Sequence, residues 1–160
     1  MKCLTSAVAI GTLVIAAASV SAQSKPNFAG KWTIVPDANS AAAISGRGGT
    51  LGAEFTAVQD DKTVTVVTNN PQLGELKTVY NLDGSETKNP INFGGQSVDR
   101  ISKVKWDGAK LVITTTISMS GNVAETTQSW TLDGSGNLLV ETLSTFTGQS
   151  TTTKATYKKG

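Results

Sequence analysis

Histidine is absent from this 160-residue chain, and the single cysteine is Cys3, close to the N-terminus. The chain therefore has no Ser-His-Asp or Cys-His nucleophile, no histidine or cysteine zinc site, and no disulfide framework. Charge is also scarce: charged residues make up 16%, and 14 basic against 12 acidic residues leave a formal net charge of +2. Because nucleic acids attract strongly basic surfaces, we expect no nucleic-acid partner.

Carboxylates give this chain little basis for catalysis. The glutamates are Glu54, Glu75, Glu86, Glu125 and Glu141, and most of them fall at predicted outward or loop positions. Four aspartates fall in predicted turns, where Asp bonds to the nearby backbone: Asp60, Asp83, Asp107 and Asp133. A calcium site in the turn from Asp133 to Asn137 would need more carboxylates than that turn has. We therefore expect no enzymatic activity, no metal and no cofactor.

The first 22 residues have the layout of a secretory signal peptide. Met1-Lys2-Cys3 is a short basic start, and a mostly apolar run extends from Leu4 to about Val20. Val20-Ser21-Ala22 then places small residues where a signal peptidase reads. A membrane anchor is the other interpretation, but Ser, Thr and Gly interrupt a run that is marginal against the ~20 apolar residues a spanning helix needs. We predict a signal peptide over residues 1–22 and a secreted or periplasmic mature domain over residues 23–160.

Turn residues recur about every dozen positions through the rest of the chain, as they do in all-β sandwiches and barrels. The turn pairs are Asp60-Asp61, Asn70-Pro71, Asp83-Gly84, Gly94-Gly95, Asp107-Gly108, Gly121-Asn122, Asp133-Gly134 and Gly148-Gln149. The segments between them are rich in Val, Ile, Thr and aromatic residues, which favour strands. Only Asp37 to Ser45 could form one or two helical turns. The pattern predicts an all-β fold, an antiparallel meander of nine or ten strands.

Alternation along each segment separates an apolar face from a polar one. Val98, Arg100, Val104 and Trp106 share one side of their segment, whereas Lys103 and Lys105 lie on the other. Lysines on the outer face would cost a few kcal/mol each against lipid, so we expect no stable membrane insertion as an outer-membrane barrel. The apolar face carries the large aromatic residues and is the predicted core.

Asn27-Phe28-Ala29-Gly30-Lys31-Trp32-Thr33 places Gly-x-Trp on the first strand of this meander. The segment resembles the opening of the lipocalins and fatty-acid-binding proteins, the calycin-type barrels. Residues 106–111 (Trp-Asp-Gly-Ala-Lys-Leu) and 130–132 (Trp-Thr-Leu) are similar to the small secreted lipocalin-like proteins of bacteria. The resemblance implies an up-and-down meander that closes into a lipocalin-like barrel of 8–10 strands.

The chain also departs from both families. It has no Thr-Asp-Tyr, and its late cations are Lys154, Lys158 and Lys159, where lipocalins often place an arginine on the tryptophan. The Arg-x-Tyr that holds a carboxylate in the last strand of fatty-acid-binding proteins corresponds here to Ala155-Thr156-Tyr157. We expect Gly30 to admit a bulky neighbour and Trp32 to fill the closed end of the barrel.

The predicted interior has an unusually small and polar middle layer: Thr78, Ser102, Thr115, Ala124, Thr126 and Gln128. These groups need partners, which either a partly hydrated cavity or bonds across a narrow, filled barrel would supply. The first alternative predicts an exported, non-catalytic binding protein for a small apolar or amphipathic ligand. The second predicts an envelope or secreted interaction protein, or a structural protein, that stores no ligand.

The binding hypothesis assigns roles to particular side chains. The predicted apolar wall consists of Phe55, Tyr80, Trp106, Ile113, Met119 and Trp130, and a polar end of the ligand would be oriented by Thr126, Gln128 and Arg100. An inward Arg100 would need a carboxylate partner, water or an anionic ligand, whereas a β-bulge near Ile101 would turn it outward. The Gly-rich segment Ser45–Thr50 is either a lid over the opening or a plain connection.

Overall fold

The computed structural model describes residues 24–37, 40–45, 51–70 and 73–160. These residues form ten β-strands and one short helix. In chain order they are β1 (Gly30–Ile34), α1 (Ser40–Ser45), β2 (Glu54–Gln59), β3 (Thr63–Asn70), β4 (Gly74–Asn81), β5 (Thr87–Phe93), β6 (Gln96–Asp107), β7 (Lys110–Met119), β8 (Asn122–Leu132), β9 (Leu138–Phe146) and β10 (Gln149–Lys159). The predicted signal peptide and most of the Gly-rich segment lie outside the described residues.

All ten strands belong to one antiparallel sheet with the order β4-β3-β2-β1-β10-β9-β8-β7-β6-β5. The first and last strands pair, with Trp32 opposite Lys159 and Ile34 opposite Tyr157. The two sheet edges are therefore β4 and β5, which follow each other in the chain and lie side by side. The sheet forms a nearly closed barrel, which confirms the predicted all-β antiparallel meander, and its ten strands are the upper of the two predicted counts.

Local sequence explains both the strands and the turns between them. β3 alternates inward Val64, Val66 and Thr68 with more exposed neighbours, as the period of a half-buried strand requires. The hairpin turn between β8 and β9 is held by Asp133, whose Oδ1 accepts from the backbone N–H groups of Ser135 (2.8 Å) and Asn137 (2.9 Å). Such Asx bonds stabilise a tight reversal without any contribution from the core.

Aromatic residues fill one end of the barrel. The Phe28 ring meets Trp130 edge-on at 5.7 Å, and Phe55 lies 5.8 Å from Trp130 and 5.1 Å from Tyr157. These rings are almost completely buried, as is Trp32 at 1% exposure. Offset and edge-to-face contacts of this kind add to the free energy of burial. The aromatic cluster is thus the core of the fold, and it closes one end of the barrel.

The segment that precedes β1 caps this closed end. The side chain of Gln59 accepts from the backbone N–H of Phe28 (2.8 Å) and donates to the carbonyl of Pro26 (3.2 Å). The indole N–H of Trp32 donates to the Phe28 carbonyl at 2.9 Å. Buried backbone groups that no strand pairs are thereby satisfied. The predicted packing role of Trp32 is confirmed.

Gly30 and Lys159 explain how the Gly-x-Trp segment works in this chain. Gly30 has φ of +149°, and a Cβ there would stand 2.5 Å from Cε of Lys159. The lysine chain therefore crosses directly over the glycine, and its Nζ lies 5.8 Å from the centre of the Trp32 ring. Lys159 thus covers Gly30 and places its ammonium group over the face of Trp32.

Ion pairs lie on the outer face of the barrel. Exposed pairs join Lys31 to Glu54, Lys103 to Glu86 and Lys154 to Glu141 at 3.1–3.5 Å. Such solvent-exposed pairs contribute at most ~1 kcal/mol each. No helix in the described ranges is long and apolar enough to cross a membrane.

Candidate functional site

Successive rows of inward side chains change from apolar to polar along the barrel axis. The strand registers place Trp106, Leu111, Trp130 and Val140 in one row and Ser102, Thr115, Thr126 and Ser144 in a row four residues further along the strands. Val104, Ile113, Gln128 and Thr142 form the mixed row between them. The interior therefore has an aromatic end and a hydroxyl-rich end, which are separated along the strands and not around the barrel.

Part of the hydroxyl-rich end is satisfied internally. Ser102 Oγ lies 2.9 Å from Thr115 Oγ1 on the neighbouring strand, and Ser102 is 1% exposed. Gln128 is also buried, and its Oε1 accepts from the indole N–H of Trp130 at 3.4 Å. Hydroxyl pairs across strands are thus one way in which this chain satisfies its polar interior.

Arg100 lies inside the barrel. Its register is continuous, with Arg100 opposite Ile117 and Ile101 opposite Thr116, so no β-bulge turns the side chain outward. Arg100 is 6% exposed, and it is the only charged side chain among the buried residues that the structure describes. Its Nη2 donates to Thr78 Oγ1 at 2.7 Å, whereas its buried Nε has no hydrogen-bond partner.

Arg100 and Tyr80 influence each other's titration. Burial lowers the pKa of Arg100, and the nearby Tyr80 acts weakly in the opposite direction. Burial raises the pKa of Tyr80 to about 12, although the positive charge of Arg100 opposes that shift. At neutral pH the tyrosine is therefore a neutral hydroxyl donor close to a buried cation.

A single asparagine joins the two sheet edges. Asn89 on β5 is 5% exposed. Its Oδ1 accepts from the backbone N–H of Val79 on β4 (2.8 Å), and its Nδ2 donates to the Val79 carbonyl (3.0 Å). The side-chain amide thus takes the place of a backbone partner between β4 and β5, a contact we call the seam clasp.

The structure gathers most of the predicted site residues in the interior. Phe55, Ile113 and Trp130 are buried in or beside the aromatic end, and Tyr80 belongs to the same hydrophobic core. Arg100 and Gln128 are buried further along the barrel, among the polar rows. Thr126 is partly buried on the hydroxyl row.

Trp106 and Met119 lie at opposite extremes of the apolar face. Trp106 is partly buried at the closed end, where it stacks on Phe28 at 6.2 Å and Lys25 Nζ lies 5.3 Å from its ring centre. Met119 ends β7 with 39% of its surface exposed, beside outward residues such as Ile101 and Ser118. The two residues therefore do not share one enclosed wall.

Sequence reasoning assigned no role to Asn89. A signal was nevertheless present: Asn89-Pro90 is a poor strand-forming pair in the middle of β5. Proline cannot donate to a ladder and belongs on edge strands. The pair therefore could have predicted that β5 is a sheet edge, but not which backbone group the amide would meet.

The closed end also bears an open groove of about 890 Å³ on the outside of the barrel. Its lining includes Lys25, Trp106 and the carboxylates of Asp60, Asp61 and Asp83. Hydrogen bonds to the Lys62 and Thr63 amides lower the pKa of Asp60, and bonds from Ser85 lower the pKa of Asp83. These two carboxylates are therefore engaged in turns.

Within the described ranges, no group of three or more acidic, histidine or cysteine side chains could hold a metal ion.

Comparison with known proteins supports the fold. No protein-family model and no curated protein sequence matches the chain. Among solved structures, it is similar to secretory abundant heat soluble protein 4 from Ramazzottius varieornatus, with a TM-score of 0.52 and 20% sequence identity. The match covers 82% of this chain and 94% of that one. At this identity the likeness shows a shared β-barrel fold, and the ten-stranded barrel fits a calycin-like architecture.

Proposed function

We propose that this protein is an exported, non-catalytic, lipocalin-like binding protein for a small amphipathic molecule held inside the barrel. The observation that carries the proposal is the division of one interior into an aromatic end and a hydroxyl-rich end that contains the buried Arg100. Binding sites for small molecules combine apolar walls with a few placed polar groups. A purely structural core has no need of a buried cation.

The proposal gives each interior group a physical role. Phe55, Ile113 and Trp130 provide apolar contact for the body of the ligand, and the buried Tyr80 is part of the same wall. Thr126, Gln128 and Arg100 orient its polar end. The ligand is bound and released without reaction, since the chain has no histidine and its glutamates in the strands are exposed. The N-terminal segment supports export.

A filled barrel that acts through its surface is the second candidate. The observation in its favour is the aromatic end, where Phe28, Trp32 and Trp130 are at most 1% exposed. These rings pack against one another, so a stored molecule has to occupy the hydroxyl-rich end and can meet the aromatic cluster only from that side. The two candidates therefore differ in what that end contains.

A titration distinguishes the two candidates. The purified mature domain is titrated with decanoate and with Nile red while tryptophan and dye fluorescence are recorded. Wild type is expected to give a saturable change, because Trp130 lies beside the proposed site. Thr126→Phe should fill the hydroxyl-rich end and weaken binding at least tenfold, whereas Thr127→Phe, one residue along β8 and outside the hydroxyl row, should not.

Circular dichroism and thermal unfolding verify that both variants retain the fold, since an overpacked core costs ~1–3 kcal/mol. Failure of the wild-type protein to give a saturable change with either probe would favour the filled barrel. Equal weakening by both phenylalanine variants would place the probe outside the barrel.

A further inference from the structure

Burial of the Arg100 charge lowers the stability of the ligand-free protein, and the hydrogen bonding of Arg100 does not offset this loss. A buried charge loses several kcal/mol of hydration, and breaking even requires a close counter-ion with complete hydrogen bonding. Arg100 has one hydrogen bond to a neutral hydroxyl, and its Nε has none. The acidic side chains that form ion pairs do so with lysines on the exposed face, as Glu86 does with Lys103.

The groups around Arg100 are arranged to donate. Thr78 Oγ1 accepts the Arg100 bond, so its own hydroxyl proton is available to a further acceptor. Tyr80 lies two residues from Thr78 on the same buried face of β4, and because it remains protonated at neutral pH its hydroxyl is a second donor. Ser102 follows Arg100 on the same inward face of β6. A cation surrounded by neutral donors, without a carboxylate, is complementary to an anion.

The charge count selects the class of anion. Arg100 is the only buried charge in the described chain, so one negative charge brings this part of the interior to neutrality. A dianionic phosphate monoester would leave one charge uncompensated, which a desolvated site penalises. The aromatic end, three rows from Arg100, offers apolar contact to the chain that carries the charge.

We infer that Arg100, Thr78 and Tyr80 form a binding site for the singly charged head group of an amphiphile, a carboxylate or sulfate ester. This inference rests on the proposed function and specifies its ligand class. The site joins β6 to β4 across the sheet edges, next to the seam clasp. It differs from an Arg-x-Tyr clamp on the last strand, since β10 presents Ala155 and Tyr157 there.

Calorimetric titration of the mature domain with decanoate, decyl sulfate and decanol tests the inference. The three probes share one chain and differ in the head group. Wild type is expected to bind both anions about tenfold or more tightly than the alcohol, the range for hydrogen bonds to a charged group. Arg100→Met should remove that preference and leave the affinity for decanol unchanged. Lys105→Met, an exposed cation on the same strand, should leave all three affinities unchanged.

Stability provides an independent readout. A methionine of similar volume removes an uncompensated buried charge, so ligand-free Arg100→Met should unfold at the same or a higher temperature than wild type. Loss of stability with an unchanged preference for anions would make Arg100 a structural residue and overturn the inference. Should Arg100→Met fail to fold, Tyr80→Phe and Thr78→Val take its place, each expected to reduce anion affinity severalfold without affecting decanol.

The probes separate this inference from the proposed function. Equal affinities of wild type for acid and alcohol would refute the anion site and leave the binding protein intact. Absence of binding by all three probes would refute both.

Discussion

Trp32 shows how a single residue serves the whole fold. It lies opposite Phe55 on β2 and Lys159 on β10, the two strands that flank β1 in the sheet. Its indole N–H satisfies the Phe28 carbonyl, and its face carries the ammonium of Lys159. Gly30, two residues earlier, leaves the space in which the lysine chain crosses. The Gly-x-Trp segment is therefore a packing device in this protein.

Trp32→Ala should reduce the free energy of unfolding by about 3–5 kcal/mol, the usual cost of truncating a buried tryptophan. Urea unfolding followed by circular dichroism measures the change. Thr33→Ala alters the adjacent exposed residue of β1 and should change stability by less than ~0.5 kcal/mol. A comparable loss in both variants would show that strand propensity, and not the ring, is responsible.

At the scale of elements, β4 and β5 differ from the other neighbouring strands because no backbone ladder joins them. Every other adjacent pair is held by a backbone ladder, whereas the described contacts between these edges are made by side chains. The seam clasp satisfies both backbone groups of Val79, and Arg100 adds a bond from β6 to Thr78. Open edges invite pairing with other chains, so covering them also protects the monomer from edge-to-edge association.

Asn89→Ala should loosen the seam. It leaves the N–H and carbonyl of Val79 without partners, which costs about 1–3 kcal/mol and should accelerate hydrogen exchange at the Val79 amide more than at Thr65, its neighbour on β3. Exchange detected by NMR measures both effects. Asn92→Ala, an exposed position on the same strand, is the matched control and should leave exchange unchanged. Unchanged protection of Val79 in Asn89→Ala would contradict the role of the clasp.

At the scale of the whole molecule, both tyrosines of the chain are buried in the barrel wall. Tyr157 is 1% exposed and donates to the Gly52 carbonyl at 2.9 Å, and Tyr80 is 4% exposed. Burial raises the pKa of each phenol to about 12 from an ordinary value of 10.0. The folded barrel therefore favours the protonated tyrosines, and the unfolded chain loses these protons first.

Alkaline pH should consequently destabilise the barrel. The contribution of each tyrosine is fully present below about pH 10 and is lost as the pH rises toward 12, because the unfolded state binds fewer protons in that interval. Ultraviolet absorbance of tyrosinate should show little ionisation in the native protein where the urea-denatured chain is already titrated. Tyr80→Phe and Tyr157→Phe assign each step. Native titration near pH 10 would contradict burial of the phenols.

The strand count, the turns and the inward faces follow from local chemistry. Asp-Gly and Gly-Asn pairs reverse the chain wherever they occur, and alternation of Val and Thr with exposed residues specifies a face before any strand has a partner. Alternation put Arg100 on the face of Val104 and Trp106, but only the continuous register of β6 excluded a β-bulge that would turn it outward. The distribution of Thr78, Ser102 and Thr126 likewise indicated a polar interior.

Long-range geometry decided the rest. The curvature of the sheet determines that its two edges, β4 and β5, come together. It also determines three contacts between distant residues: Arg100 with Thr78, Asn89 with Val79, and Lys159 with Gly30. Local chemistry selects the direction of a side chain, but its partner is set by the closure of the barrel, which brings together residues that no periodicity relates.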